Sequence, residues 1–266
     1  GERNREYWDS VHACGACYRD AGLPRKAQEK FDRNVEAGLV PFPEGADEDL
    51  TIQQIVQLSR LESARVRVRL GGKGEMDEAA AIYRAMLRSP TLGPRTREWR
   101  AALAELGLLL LHGAAQGQTE PLWEGLGYLD EYVQRYGAED GVARLGEIQE
   151  ARARGLMRAG RWADAAGIWS GLRAERPAIP APAWALALEA DCLLATGRPG
   201  EAALLYERSL ARDGADPDGH LHASWFEARR LAGMALPPPH PGGGFGSDWE
   251  RIRREVLLGP PGGQGP

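Results

Sequence analysis

One spacing of small, turn-forming and aromatic residues recurs along this chain, and it restricts the possible folds more than any other feature. Near the amino end Val11, Gly15 and Tyr18 lead to Gly22, which is followed by Ala27 and Phe31 and by the nearby Pro41. Further on, Ala153 and Leu156 precede Gly160, then Ala165, Trp169, Leu172 and Pro177 follow; Ala190 and Leu193 precede Gly197, then Ala202 and Tyr206. A fourth segment shows the latter half alone, in Gly74, Ala79, Tyr83 and Leu87. The glycine permits a tight turn, the small residue before it lets two helices approach, and the aromatic four residues beyond the alanine fills the space between neighbouring pairs. A helix pair of this kind cannot bury both faces alone, so the units must stack.

Upstream of Pro237 the apolar residues recur at three- and four-residue steps, and no segment alternates with the period of two that marks a strand. The chain therefore reads as all-α. Glycine and proline divide it into about ten helices in five antiparallel pairs, at 5–21 with 24–37, 49–70 with 75–88, 95–112 with 119–136, 141–159 with 161–175, and 181–196 with 199–212. A further helix near 219–235 has no partner, as expected of a terminal cap. The first helix of the third pair, with Trp99, Leu103, Leu106 and Leu108 to Leu111, is apolar nearly all round and belongs in the middle of the core. Towards the carboxyl end the composition changes: Pro237 to Pro239 and Gly242 to Gly244 mark 237–266 as a linker and tail, interrupted by one short helix that carries Trp249, Ile252 and Val256.

Charge and length narrow the function classes. The net charge of −5 over 266 residues lacks the footprint of a general nucleic-acid binder. The longest apolar run, Ala183 to Leu188, is too short to cross a bilayer, so no direct membrane insertion is expected. With Gly1 opening the sequence and no secretory pattern, the chain is expected to be a soluble cytoplasmic or periplasmic piece of a longer or processed precursor. Only Lys26, Lys30 and Lys73 are lysines among 33 basic residues, a bias that fits a GC-rich genome and weakens any single surface arginine as functional evidence.

The repeated Gly, Ala and aromatic positions resemble the tetratricopeptide-repeat (TPR) family, whose unit is a helix–turn–helix of about 34 residues. The likeness is good in the first, fourth and fifth pairs, partial in the second and poor in the third. It implies a right-handed α-solenoid of about five antiparallel helix pairs over 1–236, closed by the C-terminal capping helix. It also implies a non-catalytic adaptor whose concave surface, lined by the first helix of each pair, holds a protein or peptide. Carried onto this sequence, the groove positions are His12 and Arg19, then Glu147, Glu150, Arg154 and Arg158, then Trp184 and Asp191. Arg154 and Arg158 lie four apart on one helix face, so both could reach one carboxylate; the competing reading is a solvated arginine face.

Other chemistry is weighed against packing. His12-Ala13-Cys14-Gly15-Ala16-Cys17 suggests a metal or redox site, yet no second Cys or His pair has ligand spacing, and Tyr7, Val11, Cys14 and Tyr18 form a helical core stripe. Cys14 and Cys17 are accordingly read as structural, with a Cys-based sensor as an alternative. Gly71-Gly72-Lys73-Gly74 lacks the Ser or Thr of a phosphate loop and lies between helices. Eight tryptophans allow an all-α enzyme with a carbohydrate cleft, but Trp8, Trp99, Trp162 and Trp169 fall at packing positions. No cofactor or metal is expected.

Overall fold

The structure is a computed structural model that describes residues 5–37, 49–90, 92–114, 118–139, 141–175, 181–213 and 219–235. Pro41, Pro177 and the tail helix expected near Trp249 lie outside the described residues. Among those described, eleven helices follow in order: α1 Arg5–Asp20, α2 Pro24–Ala37, α3 Asp49–Leu70, α4 Lys73–Leu87, α5 Arg97–Gly113, α6 Thr119–Tyr136, α7 Val142–Arg158, α8 Trp162–Glu175, α9 Ala183–Ala195, α10 Pro199–Asp213 and α11 His220–Leu231. The fold is all-α and built of antiparallel pairs, packed in sequence. Contacts divide the chain into two compact units, Gly1–Leu110 and Leu111–Pro266, and the division falls within α5.

The turns are made as the repeated glycine requires. Gly22, Gly160 and Gly197 take φ of 71°, 75° and 76°, the left-handed region that costs glycine least. The residue after each donates its backbone N–H five residues back, Leu23 to Tyr18 at 2.9 Å, Arg161 to Leu156 at 2.8 Å and Arg198 to Leu193 at 2.8 Å. Each glycine N–H reaches back three residues, which completes a Schellman motif. The same post-glycine residue then accepts the first bond of the next helix, from Ala27, Ala165 and Ala202 at 3.1 Å each. One left-handed glycine and one capping residue thus constitute the whole junction.

The second pair departs from the expected register. Gly74 is not the turn residue but lies in the first turn of α4, while the left-handed residues are Gly71 and Gly72, with φ of 70° and 86°. Measured from Gly71, the missing first half of the pattern appears as Ala64, seven residues earlier and fully buried. Three extra residues then push Ala79 and Tyr83 one turn further into α4.

In the first unit, Trp8 packs with Ile52, Ile55 and Val56, and Phe31 with Ala27 and Val66. Gly15 lies so close to α2 that a Cβ there would stand 2.7 Å from the Phe31 ring. Ala102, Leu103, Ala104 and Leu106 of α5 are fully buried, and Leu122, Leu126 and Leu129 line the buried face of α6. In the second unit α7 packs against α6 and α8, α8 against α9 and α9 against α10; Ile148, Ala153 and Met157 of α7 are buried, as are Ala165, Trp169, Ala202 and Tyr206 at the repeated positions.

Candidate binding groove

The first helices carry the expected groove residues in two separate groups, His12 and Arg19 in the first unit and the remaining six in the second. The first group is already engaged. His12 is half-buried, with Nδ1 3.0 Å from Ser59 Oγ and its ring 5.4 Å from that of Phe31. Burial holds its pKa below the usual 6.5, against the upward pull of Glu62 and Asp9 and with a further downward push from Arg19. Asn34 of α2 donates to the same Ser59 at 3.1 Å and to the Trp8 carbonyl at 3.2 Å, so three helices meet through one hydroxyl.

Arg19 donates to Glu62 of α3 and, through Nε at 2.9 Å, to Asp20. Glu62 also accepts from Arg65 at 2.7 Å, and Arg65 makes a fork to Glu105 of α5 with Nε at 3.0 and 3.1 Å and Nη2 at 2.5 Å. The Tyr83 hydroxyl donates to Glu105 at 2.9 Å, and burial beside that carboxylate raises the phenol pKa. Burial opposes ionisation of Glu62, yet its two arginine partners prevail and its pKa falls below the usual value. Apart from Arg19, the members of this charged ladder were not among the residues expected to line the groove. The available signal was the alternation of Glu62, Arg65 and Arg67 with apolar neighbours on a helix that packs on several sides.

In the second unit, Glu150 and Arg154 pair across one turn of α7, Nη2 to Oε1 at 2.5 Å. The Arg154 guanidinium lies over the Trp184 ring at 4.7 Å, and Trp184 meets Trp169 edge to face at 5.9 Å and 82°. Glu150, Arg154, Trp184 and Trp169 therefore form a continuous stack from α7 through α9 to α8. Arg154 Nε and Trp169 Nε1 are buried donors that meet no acceptor. Trp184 itself is half-buried, so one edge of the stack stays open to solvent. Glu147 is exposed and pairs with Arg144 at 3.2 Å, and Asp191 accepts from the Tyr206 hydroxyl at 2.6 Å.

Arg158 does not join this stack. Its guanidinium donates to the backbone carbonyls of Leu111 and Ala114 at the C-terminal end of α5, and burial without a carboxylate lowers its pKa. The expectation that Arg154 and Arg158 serve one external carboxylate is corrected by this geometry: one guanidinium stacks on an aromatic ring, the other caps a helix.

The cysteines share no site. Cys14 is half-buried, Cys17 exposed and Cys192 buried, its thiol pushed up to about 12 by burial and by Asp191 and Glu189. Among the described residues no three His, Cys, Asp or Glu side chains are grouped as metal ligands would be, and no helix is long and apolar enough to cross a membrane.

No protein-family model and no curated protein matches the chain. Its fold is similar to two crystal structures of nearly identical TPR-like repeats from Podosopora anserina. One, with 17% identity and a TM-score of 0.56, covers 79% of this chain and 96% of that one. The other, a single-substitution variant with 18% identity and a TM-score of 0.55, covers 76% and 92%. At such identities the likeness establishes the fold, a TPR-like helical repeat.

Proposed function

We propose that this chain is a non-catalytic helical-repeat adaptor that binds a protein or peptide segment along the first helices of its pairs. The observation that carries this reading is the half-open Trp184, held between the Arg154 guanidinium and Trp169. An aromatic ring already ordered by its neighbours offers apolar area at little entropic cost, and a cation beside it supplies a directed anchor. Glu147 and Glu150 add acceptors for a partner's backbone or basic side chains, whereas Asp191, which holds Tyr206, belongs to the frame. His12 and Arg19, tied to α3, support the frame rather than reach the partner. The helical domain extends over 1–236, with 237–266 as its linker. With a net charge of −5, nucleic acid is a poor partner.

A displayed random-peptide library selected against the full chain tests this reading. Selected peptides should bind W184A at least about thirtyfold more weakly, as for an aromatic anchor worth roughly 2 kcal/mol. They should also bind R154Q more weakly, while the far-UV spectrum of each variant stays helical. Peptides that bind both variants as tightly as the parent chain would place the partner elsewhere.

A further inference from the structure

Arg60 of α3 differs from Arg65 and Arg67 of the same helix. Arg65 is forked onto Glu105, and Arg67 is forked onto Asp32, with Nη1 at 3.0 Å and Nη2 at 2.8 Å, while its Nε reaches Glu78 at 2.9 Å. Arg60 is half-buried, yet its partner is an uncharged amide, Gln57 Oε1 at 3.3 Å. No carboxylate among the described residues pairs with it, and burial lowers its pKa. A partly desolvated cation without a counter-charge carries an unbalanced cost that an incoming anion would relieve.

The surroundings suit such an anion. Arg60 lies in an open cleft of about 760 Å³ between α2 and α4, floored by α3. Arg88 at the end of α4 lines the same cleft, is exposed and has no ion pair among the described residues. Asp32, also in the wall, is taken by Arg67 and by Ser63 at 2.5 Å, so it leaves one acidic side chain, Glu36, against two uncommitted arginines. Val35, Ile82 and Pro90 supply apolar wall. The volume is that of an ordinary ligand site.

We infer that this cleft between α2, α3 and α4 is a second docking site, one that takes an acidic side chain flanked by apolar residues from a partner polypeptide, with its carboxylate on Arg60 and Arg88. The site shares no residue with the face proposed above, so the two stand or fall separately.

The probes are acetyl-Ala-Leu-Glu-Leu-Ala-amide and its Gln counterpart, titrated into the full chain while the arginine Nε–Hε signals are followed by NMR. The Glu peptide should shift the Arg60 signal saturably and bind roughly tenfold or more tightly than the Gln peptide, as one charge-assisted bond requires. R60Q should abolish that discrimination. R88Q, at an exposed position that does not bear on folding, should reduce it. Equal titration by the two peptides overturns the proposal, as does discrimination that survives in both variants. A Glu peptide that moves the Trp184 indole signal and leaves Arg60 unmoved would also overturn it, and would leave the α7–α9 reading intact.

Discussion

Arg154 and Arg158 are one turn apart in the same helix, and their chemistry diverges because their neighbours do. Arg158 neutralises carbonyls that the end of α5 would otherwise leave unpaired, whereas Arg154 has a carboxylate on one side and an indole on the other. Arg158→Ala should therefore lower the unfolding free energy by about 1–3 kcal/mol, since half-buried acceptors are stranded. Arg154→Ala should cost less, about 0.5–1 kcal/mol, through one cation–π contact and one partly exposed ion pair. Urea denaturation of the two variants measures the difference; equal losses would show that Arg158 does not cap the helix. Sequence spacing brought these residues together because it reports which face of a helix a residue occupies. It does not report which neighbouring element ends there.

At the scale of the element, the turn glycines give a pair of predictions of opposite sign. Gly22→Ala places a Cβ at φ 71° and should destabilise by about 1–2 kcal/mol. Gly74→Ala meets nothing within 4 Å, sits in a helix, and should stabilise by about 0.4–1 kcal/mol. Thermal melts check both, and a loss on Gly74→Ala would return the turn to that residue. The helix pairs were legible in the sequence because Gly, Ala and an aromatic recur at set steps. The register of the second pair was not, because Gly74 has the right spacing to Ala79 by coincidence and Gly71, the true turn residue, stands three residues earlier. The α1–α3 contact adds a pH dependence. His12 titrates below 6.5 in the folded chain, so the unfolded chain takes up the proton first as pH falls. Its contribution is fully present above 6.5 and is lost as pH drops from there toward the lower folded value. H12Q should flatten the stability profile in that window; an unchanged slope would remove His12 as its source.

For the whole molecule, the cysteines report on the two units separately. Cys17 is exposed in the first unit, and Cys192 is buried in the second with a thiol pushed up to about 12. A thiol reagent at neutral pH should modify Cys17 in the native chain, while Cys192 reacts only when the second unit opens. Comparable native rates at the two positions would contradict the burial of Cys192. The candidate site was only partly legible at this scale. Trp184, Arg154 and Glu150 were proposed from their helix positions, but their connection through Trp169 depends on a packing residue that the sequence marks as core alone. His12 and Arg19 were proposed the same way, and their engagement by Ser59 and Glu62 belongs to a helix whose polar residues carry no repeat signature.

That polar helix also limits how the chain can lengthen by copying a pair. Arg67 sits four residues before its turn glycine and donates its fork to Asp32, the residue after Phe31 in the preceding pair. If α3 and α4 were duplicated in tandem, the second Arg67 would face the position after Tyr83, which is Arg84. A largely buried cation would then meet a second cation in place of its carboxylate. Leu193 holds the same place in α9, but α9 brings a buried charge of its own: Glu189 accepts from Arg173 of α8 at 2.9 and 3.0 Å. Arg173 stands four residues after Trp169, and the residue four after Tyr206 is Leu210, so in a tandem copy of α9 and α10 the second Glu189 would lose its cation. A chain that repeats either 49–87 or 183–213 should therefore lose its single cooperative melt, and one that keeps it would overturn this account. Each pair is thus fitted to the neighbour it has and is not a module that can be copied beside itself.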